Sequence, residues 1–270
     1  MTTHHFISGI PRSGSTLLSA LLKQNPRFHA AMTSPVYSII NEMLVAISAK
    51  NNYSVFISQL QKERLLRGVF DAYYSVMPEK EVIFDTRRSW TSKLPLLVNL
   101  FPECRIICCV RNVADVVNSF EYLHSKNFTE LSGLYSFKSE QNLFDRTEIL
   151  MRPDGHIGKT LNCLNEAMNS THANRLLIVR YESLTNAPLP TLSEIYDFLD
   201  EPVFIHDIHN IAYEADEYDA AIGVPGLHIV RSSVSHMEKK SILPISLIKR
   251  LESFNIWQQP ECNPQRVKVI

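Results

Sequence analysis

The chain has 270 residues, of which 45% are hydrophobic and 20% are charged, a mixture typical of a soluble globular protein. Its formal net charge of −1 at pH 7 excludes the global basic field that recruits nucleic acid or an anionic membrane. The length suits one domain over residues 1–270, and no apolar run reaches the roughly 18 residues that span a bilayer.

The first residues carry the most informative pattern. A strand ending at Ile7 leads into the turn 8–14 and then into an apolar helix from Ser15. This order presents unpaired N–H groups and the positive end of a helix dipole to an anion. The turn nearly matches the phosphate-binding pattern G-x-x-x-x-G-K-[ST], but Ser15 replaces the lysine and the nearest cation is Arg12. The residues predicted to surround a phosphate are Arg12, Ser13, Gly14, Ser15 and Thr16.

Helices and strands alternate along the rest of the chain. Helices are predicted over 36–47, 53–77, 94–100, 112–120, 140–150, 157–168, 189–199 and 244–254, and strands over 81–84, 104–110 and 175–179. The segment 201–241 shows little periodicity. Alternation of this kind predicts an α/β fold, a parallel sheet flanked by helices with a P-loop-like nucleotide site beyond the carboxyl ends of its strands.

A second motif follows the buried strand 104–110. Arg111 stands directly after that strand, and Ser119 lies eight residues further, about two turns along the next helix. An arginine fork beside a hydroxyl suits a second phosphate. Taken alone, the pair is more typical of an arginine that caps its own strand and a serine that faces solvent.

Together, P-R-S-G-S-T-L-L and V-R-N-x-x-D-x-x-x-S resemble the sulfotransferases that use 3′-phosphoadenosine 5′-phosphosulfate (PAPS). The chain is most similar to the tyrosylprotein sulfotransferases, the bacterial group in particular. The resemblance implies that the first loop holds the 5′-phosphosulfate and that Arg111 and Ser119 hold the 3′-phosphate. It also implies that no metal is required and that the nucleotide product is adenosine 3′,5′-bisphosphate.

The resemblance assigns roles to further residues. Arg12 would stabilise charge on the sulfuryl group during transfer. Tyr181, in I-V-R-Y-E-S-L, matches a family segment that contacts the nucleotide. The stretch V-R-S-S-V-S-H-M-E-K-K resembles a loop that lends side chains to the cofactor, which points to Arg231, Ser232 and Lys239.

The general base is not where the resemblance places it. Animal tyrosylprotein sulfotransferases have a glutamate after the first helix, and Thr33 occupies that position here. Asp85, at the end of the second predicted strand, is the first candidate for the base, and Glu42 is the alternative. For Asp85, a helix cap or an ion pair to Arg88 is an equally good interpretation. Arg88 itself is a candidate to replace a family lysine as a transition-state cation.

The expected function is transfer of the sulfuryl group from PAPS to a hydroxyl, and the resemblance favours the hydroxyl of a tyrosine in a peptide. The basic residues Arg87, Arg88 and Lys93 would suit an acidic peptide. One alternative is the same chemistry on a small phenol, alcohol or glycan. Others are a P-loop phosphotransferase with Asp85 holding a metal, or a nucleotide-binding module that has lost catalysis.

The expected surroundings of the protein follow from composition and charge. No signal-peptide pattern follows Met1, so we expect a cytoplasmic protein. We expect no nucleic-acid or membrane partner, and a homodimer is possible.

Overall fold

A parallel sheet of six strands organises the computed structural model, which describes residues 2–48, 51–77, 79–126, 142–213, 219, 228–236 and 240–270. The strands are β1 (Thr3–Gly9), β2 (Phe28–Ala30), β3 (Val82–Thr86), β4 (Ile106–Val110), β5 (Leu176–Arg180) and β6 (Lys268–Val269). Their order in the sheet is β2-β3-β1-β4-β5-β6. The predicted α/β fold class is thereby confirmed.

The position of β1 determines where a ligand site can form. It pairs in parallel with β3 on one side and with β4 on the other, so that Ile7 lies opposite Thr86 and Gly9 lies opposite Cys109. The chain passes to β2 and β3 on one side of β1 before it crosses to β4 on the other. The carboxyl ends of β1 and β4 therefore meet where the strand order reverses, which is the usual place for a crevice in such a sheet.

Helices connect these strands. They are α1 (Ser15–Leu22), α2 (Val36–Ala46), α3 (Gln59–Tyr74), α4 (Leu94–Leu100), α5 (Val113–Lys126), α6 (Leu143–Met151), α7 (Gly158–Met168), α8 (Tyr181–Asn186), α9 (Pro188–Leu199) and α10 (Ile245–Glu252). The helix predicted over 53–77 is divided: Asn52–Phe56 forms a short 3-10 turn before α3. The division arises because Ser58 caps α3 in a capping box with Gln61.

Both faces of the sheet are covered because the strand side chains alternate between two apolar clusters. Phe6 and Ile106 point into the larger cluster, toward α2–α7 and α10, whereas Ile7 and Ile107 point into the smaller one, toward α1, α8 and α9. The near-continuous burial of β1, β3 and β4 fits a sheet enclosed on both faces. Among the described residues, no helix has both the length and the apolar character needed to cross a membrane.

Candidate active site

The loop after β1 is held against the tip of β4. Gly9 has φ of 147°, and a Cβ placed there would lie 2.3 Å from the carbonyl oxygen of Cys109, so only glycine fits. The buried Ser13 hydroxyl lies 2.6 Å from the Ile10 carbonyl oxygen and 2.8 Å from that of Cys109. Its one proton is therefore used within the protein. Contrary to the prediction that it faces a ligand, Ser13 fastens the loop to β4.

Gly14 opens the N-terminus of α1. It is the N-cap residue with φ of 91° and provides no side-chain hydrogen bond to the first turn. The first N–H groups of α1, at Ser15 and Thr16, thus receive no side-chain cap from this position. A Cβ at Gly14 would lie 2.9 Å from the ring of Tyr181, so the aromatic side chain at the start of α8 packs directly on this turn.

Arg12 connects the loop to α5. Its backbone has φ of 60°, and its Nε donates a hydrogen bond to Ser119 Oγ at 3.2 Å. Burial, together with the neighbouring guanidinium groups of Arg111 and Arg88, lowers the pKa of Arg12 to about 10. The side chain remains a cation at neutral pH, and it lies close to two further cations, Arg88 and Arg111.

Arg111 follows β4 and lies across the ring of Tyr181, with 4.3 Å between its guanidinium carbon and the ring centroid. Its side chain is only 13% exposed, and its Nε lies 3.8 Å from Asp115 Oδ2, which is too far for a hydrogen bond. Within the described part of the chain, this buried Nε has no hydrogen-bond partner. A buried donor without a partner favours a ligand that supplies a hydrogen-bond acceptor at this position.

These residues surround one cavity, which we call the first pocket. Of the residues predicted to bind nucleotide, the structure brings eight to its lining: Arg12, Gly14, Ser15, Thr16, Arg111, Ser119, Tyr181 and Arg231. Arg88, predicted as a catalytic cation, also lines it. Ser232 does not, since its carbonyl oxygen accepts from the Ile211 N–H and its neighbours Ser233 and Ser235 take its place. Lys239 lies outside the described residues.

A second pocket adjoins the first beyond the tips of β1 and β3. The two pockets share four lining residues: Ser15, Thr16, Arg88 and His228. The rest of the second pocket comes from the ends of β1 and β3, the segments 32–33 and 87–89, the turn before α7 and the first turn of α7. Thr33, which the sequence resemblance placed at the position of a base, is part of its wall. A ligand bound in the first pocket and a ligand bound in the second would therefore approach each other at these shared residues.

His228 is a site residue that sequence reasoning missed. Its Nδ1 lies 2.5 Å from Asp219 Oδ1, and its backbone N–H donates to Asp219 Oδ2 at 2.7 Å. Asp219 is 1% exposed, so its carboxylate fixes the orientation of the imidazole from the buried side of the ring. Burial lowers the pKa of His228, and the charges of Arg88 and Arg12 lower it further against the pull of Asp219. The segment 201–241 has no periodicity that would single out this pair.

Neither carboxylate predicted as the base lines either of these two pockets. Asp85 is 0% exposed and accepts hydrogen bonds from Ser34 Oγ (2.6 Å), Tyr74 OH (2.7 Å) and Trp90 Nε1 (2.8 Å). Burial raises the pKa of Asp85, while these three donors act in the opposite sense. The prediction for Asp85 is wrong in its position: the side chain points into the core and joins α2, α3 and the turn after β3.

Glu42, the alternative base, is exposed on α2 and lines neither pocket. The burial of Asp85 also removes the residue on which the phosphotransferase alternative relied for holding a metal. The described residues contain no group of three or more histidine, cysteine or acidic side chains arranged to hold a metal ion.

The chain is similar to known sulfotransferases in sequence and in fold. The profile of the Sulfotransferase family matches residues 5–205, which is more than half of the chain. The sulfotransferase domain from the curacin biosynthetic pathway is similar in structure, with a TM-score of 0.55, 16% identity and coverage of 94% of this chain and 97% of that one. Retinol dehydratase in complex with androsterone and inactive cofactor PAP is similar with a TM-score of 0.52, 15% identity and coverage of 98% of this chain and 81% of that one.

A curated relative is similar in sequence. An uncharacterized protein of Aquifex aeolicus (strain VF5) is 24% identical over 276 residues, which cover 98% of this chain. The chain spans about a third of the length of that relative, 34%. On the family match, the chain belongs to the sulfotransferase family.

Proposed function

We propose that the protein transfers a sulfuryl group from PAPS to a hydroxyl acceptor, with the nucleotide in the first pocket and the acceptor in the second. The observation that carries the proposal is the hydrogen bond from Arg12 Nε to Ser119 Oγ at 3.2 Å. It joins the two anion-binding motifs in one cavity, so a single nucleotide with phosphates at both ends can reach both.

The residues present fit such a nucleotide. The uncapped start of α1 and Arg12 offer donors to the 5′ side. Arg111, whose buried Nε has no hydrogen-bond partner among the described residues, lies with Ser119 in the same pocket and offers donors to the 3′-phosphate. Tyr181 lies between Gly14 and Arg111 and positions both. The structural neighbour that holds PAP supports this choice of ligand.

The chemistry follows from charges in the first pocket and at its junction with the second. When bound, the donor supplies a sulfuryl group attached to a phosphate leaving group. Arg12 and Arg88 offset the negative charge that grows there during transfer. His228 accepts the proton of the acceptor hydroxyl: Asp219 takes the hydrogen bond of Nδ1–H, so the neutral ring carries its lone pair at Nε2.

The identity of the acceptor remains a prediction. The sequence resemblance favours a tyrosine in a peptide, and a small phenol, alcohol or glycan is the alternative. Either class of acceptor must place its hydroxyl beside His228 and Arg88, which line the second pocket as well as the first. A cytoplasmic location would give access to either class.

The deciding experiment is a transfer assay with radiolabelled PAPS in the presence of EDTA, with tyrosine peptides and small hydroxyl compounds as acceptors. We expect labelled product from wild type and at least about a hundredfold less from Arg12→Ala. A phosphoryl-transfer assay with ATP and Mg²⁺ runs in parallel. Turnover of ATP without any transfer from PAPS would contradict the proposal.

A further inference from the structure

The second pocket has an excess of positive charge. Arg87 and Arg88 enter it from the segment after β3, and Lys159 enters from the first turn of α7. Asp154 is the one carboxylate among its described lining residues. It lies at the exposed rim and pairs with Arg152 at 3.2 Å. The pocket therefore contains three permanent cations and one acid that already has a partner.

The positive charges of Arg87 and Lys159 are not neutralised by acidic side chains of the described residues. Among the described residues, no carboxylate lies within ion-pair distance of either side chain. The guanidinium carbon of Arg87 lies 5.6 Å from the ring centroid of Tyr37, a contact that orients the side chain without cancelling its charge. The nearby Asp85 is buried, and its oxygens accept from Ser34, Tyr74 and Trp90.

The walls of the second pocket are otherwise polar. Ile7 and Met32 are its only aliphatic side chains among the described lining residues, and no phenylalanine, tyrosine or tryptophan lines it. A flat neutral ring such as a steroid would find little apolar surface there. Hydroxyls and cations dominate instead, which suits a ligand that is itself charged.

We infer that the acceptor of this enzyme carries an anionic group, a carboxylate, phosphate or sulfate, which Arg87 and Lys159 bind while the reacting hydroxyl lies toward His228 and Arg88. That the ligand is an acceptor of the sulfuryl group rests on the proposed function. The anionic binding site itself stands on the charges of the second pocket. The anion belongs either to a small molecule or to an acidic side chain beside a peptide hydroxyl.

The test compares matched ligands that differ in charge, using calorimetry on the full chain with and without adenosine 3′,5′-bisphosphate. One pair is 3-(4-hydroxyphenyl)propionate and 4-ethylphenol. A second is glucose 6-phosphate and glucose. A third is a tyrosine peptide flanked by aspartates and the same peptide flanked by asparagines. We expect the charged member of at least one pair to bind about tenfold more tightly or better.

Variants locate the effect. Arg87→Gln and Lys159→Gln should each remove most of the preference for the charged ligand, and Lys249→Gln, exposed on α10, should not. Added salt provides a measurement independent of any variant, and it should weaken binding of the charged member only. Equal binding within every pair, or a preference that survives both variants, would overturn the inference.

The two proposals fail separately. If the chain does not bind adenosine 3′,5′-bisphosphate but still prefers the charged ligands, the proposed function is wrong and the anion site stands. If the nucleotide binds and PAPS is turned over without any preference for charge, the anion site is wrong and the proposed function stands.

Discussion

Arg12 Nε donates a hydrogen bond to Ser119 Oγ although the two residues lie 107 positions apart in the chain. The contact holds the loop after β1 and helix α5 as two sides of one pocket. Replacing Ser119 with alanine should weaken binding of adenosine 3′,5′-bisphosphate by roughly tenfold to a hundredfold, the usual value of a hydrogen bond to a charged group. Affinity for adenosine 5′-phosphate should change much less. Ser125→Ala, at the exposed end of the same helix, is the matched control.

The stacked pair Arg111 and Tyr181 gives a second prediction. Tyr181→Phe keeps the ring on which Arg111 lies, so nucleotide affinity should stay close to wild type. Tyr181→Leu and Arg111→Gln should each lower it by roughly tenfold or more, since the first removes the platform and the second removes the charge. Titration calorimetry measures all three. A larger loss in Tyr181→Phe than in Tyr181→Leu would show that the hydroxyl, not the ring, matters.

Arg12 should act on the rate more than on binding. Because its guanidinium lies in the first pocket, close enough to Arg88 for their charges to interact, Arg12→Ala should lower kcat by roughly a hundredfold to a thousandfold. Arg12→Lys restores charge without the planar fork and should recover part of the rate. Steady-state kinetics with PAPS measures both. If kcat is unchanged and only KM rises, Arg12 binds the nucleotide without assisting transfer.

The pair His228 and Asp219 predicts a pH dependence. Neutral imidazole accepts the proton, so kcat/KM should fall as pH decreases through the pKa of His228, which burial holds below the ordinary 6.5. Asp219→Asn removes the interaction that raises this pKa, so the acid limb should move to lower pH while the maximal rate falls. His228→Gln should abolish the limb. A limb that is unchanged in both variants would assign the base elsewhere.

Asp85 should contribute to stability. An asparagine there offers one acceptor oxygen to three donors and turns an amide group toward one of them. Asp85→Asn should therefore lower the free energy of unfolding by about 1–3 kcal/mol. Urea denaturation measures this, with Asp197→Asn on the exposed face of α9 as control. An intact stability together with a lost acid limb would restore Asp85 as the base.

Much of the fold could be predicted because its strands are short apolar runs between helical patterns. The runs before Asp85 and Arg111 both form buried parallel strands. The edge strands β2 and β6 were missed because each has three residues or fewer and neither forms an apolar run. Their pairing depends on contacts with β3 and β5, which no local pattern reveals.

The nucleotide side of the site could also be predicted, since its residues follow strand tips in two compact motifs. The acceptor side could not. Lys159 and His228 reach the second pocket from α7 and from a segment without periodicity, and only the folded chain brings them beside Arg88. Asp85 was misjudged because a carboxylate at a strand end looks the same in sequence whether it faces a ligand or, as here, the core.

The most direct measurement of the central claim is the affinity of the wild-type chain for adenosine 3′,5′-bisphosphate compared with adenosine 5′-phosphate, by calorimetry without added metal. We expect the bisphosphate to bind at least about tenfold more tightly, because Arg111 and Ser119 gain a phosphate to bind. The difference should disappear in Arg111→Gln. Equal affinities in wild type would contradict a pocket built to hold both ends of one doubly phosphorylated nucleotide.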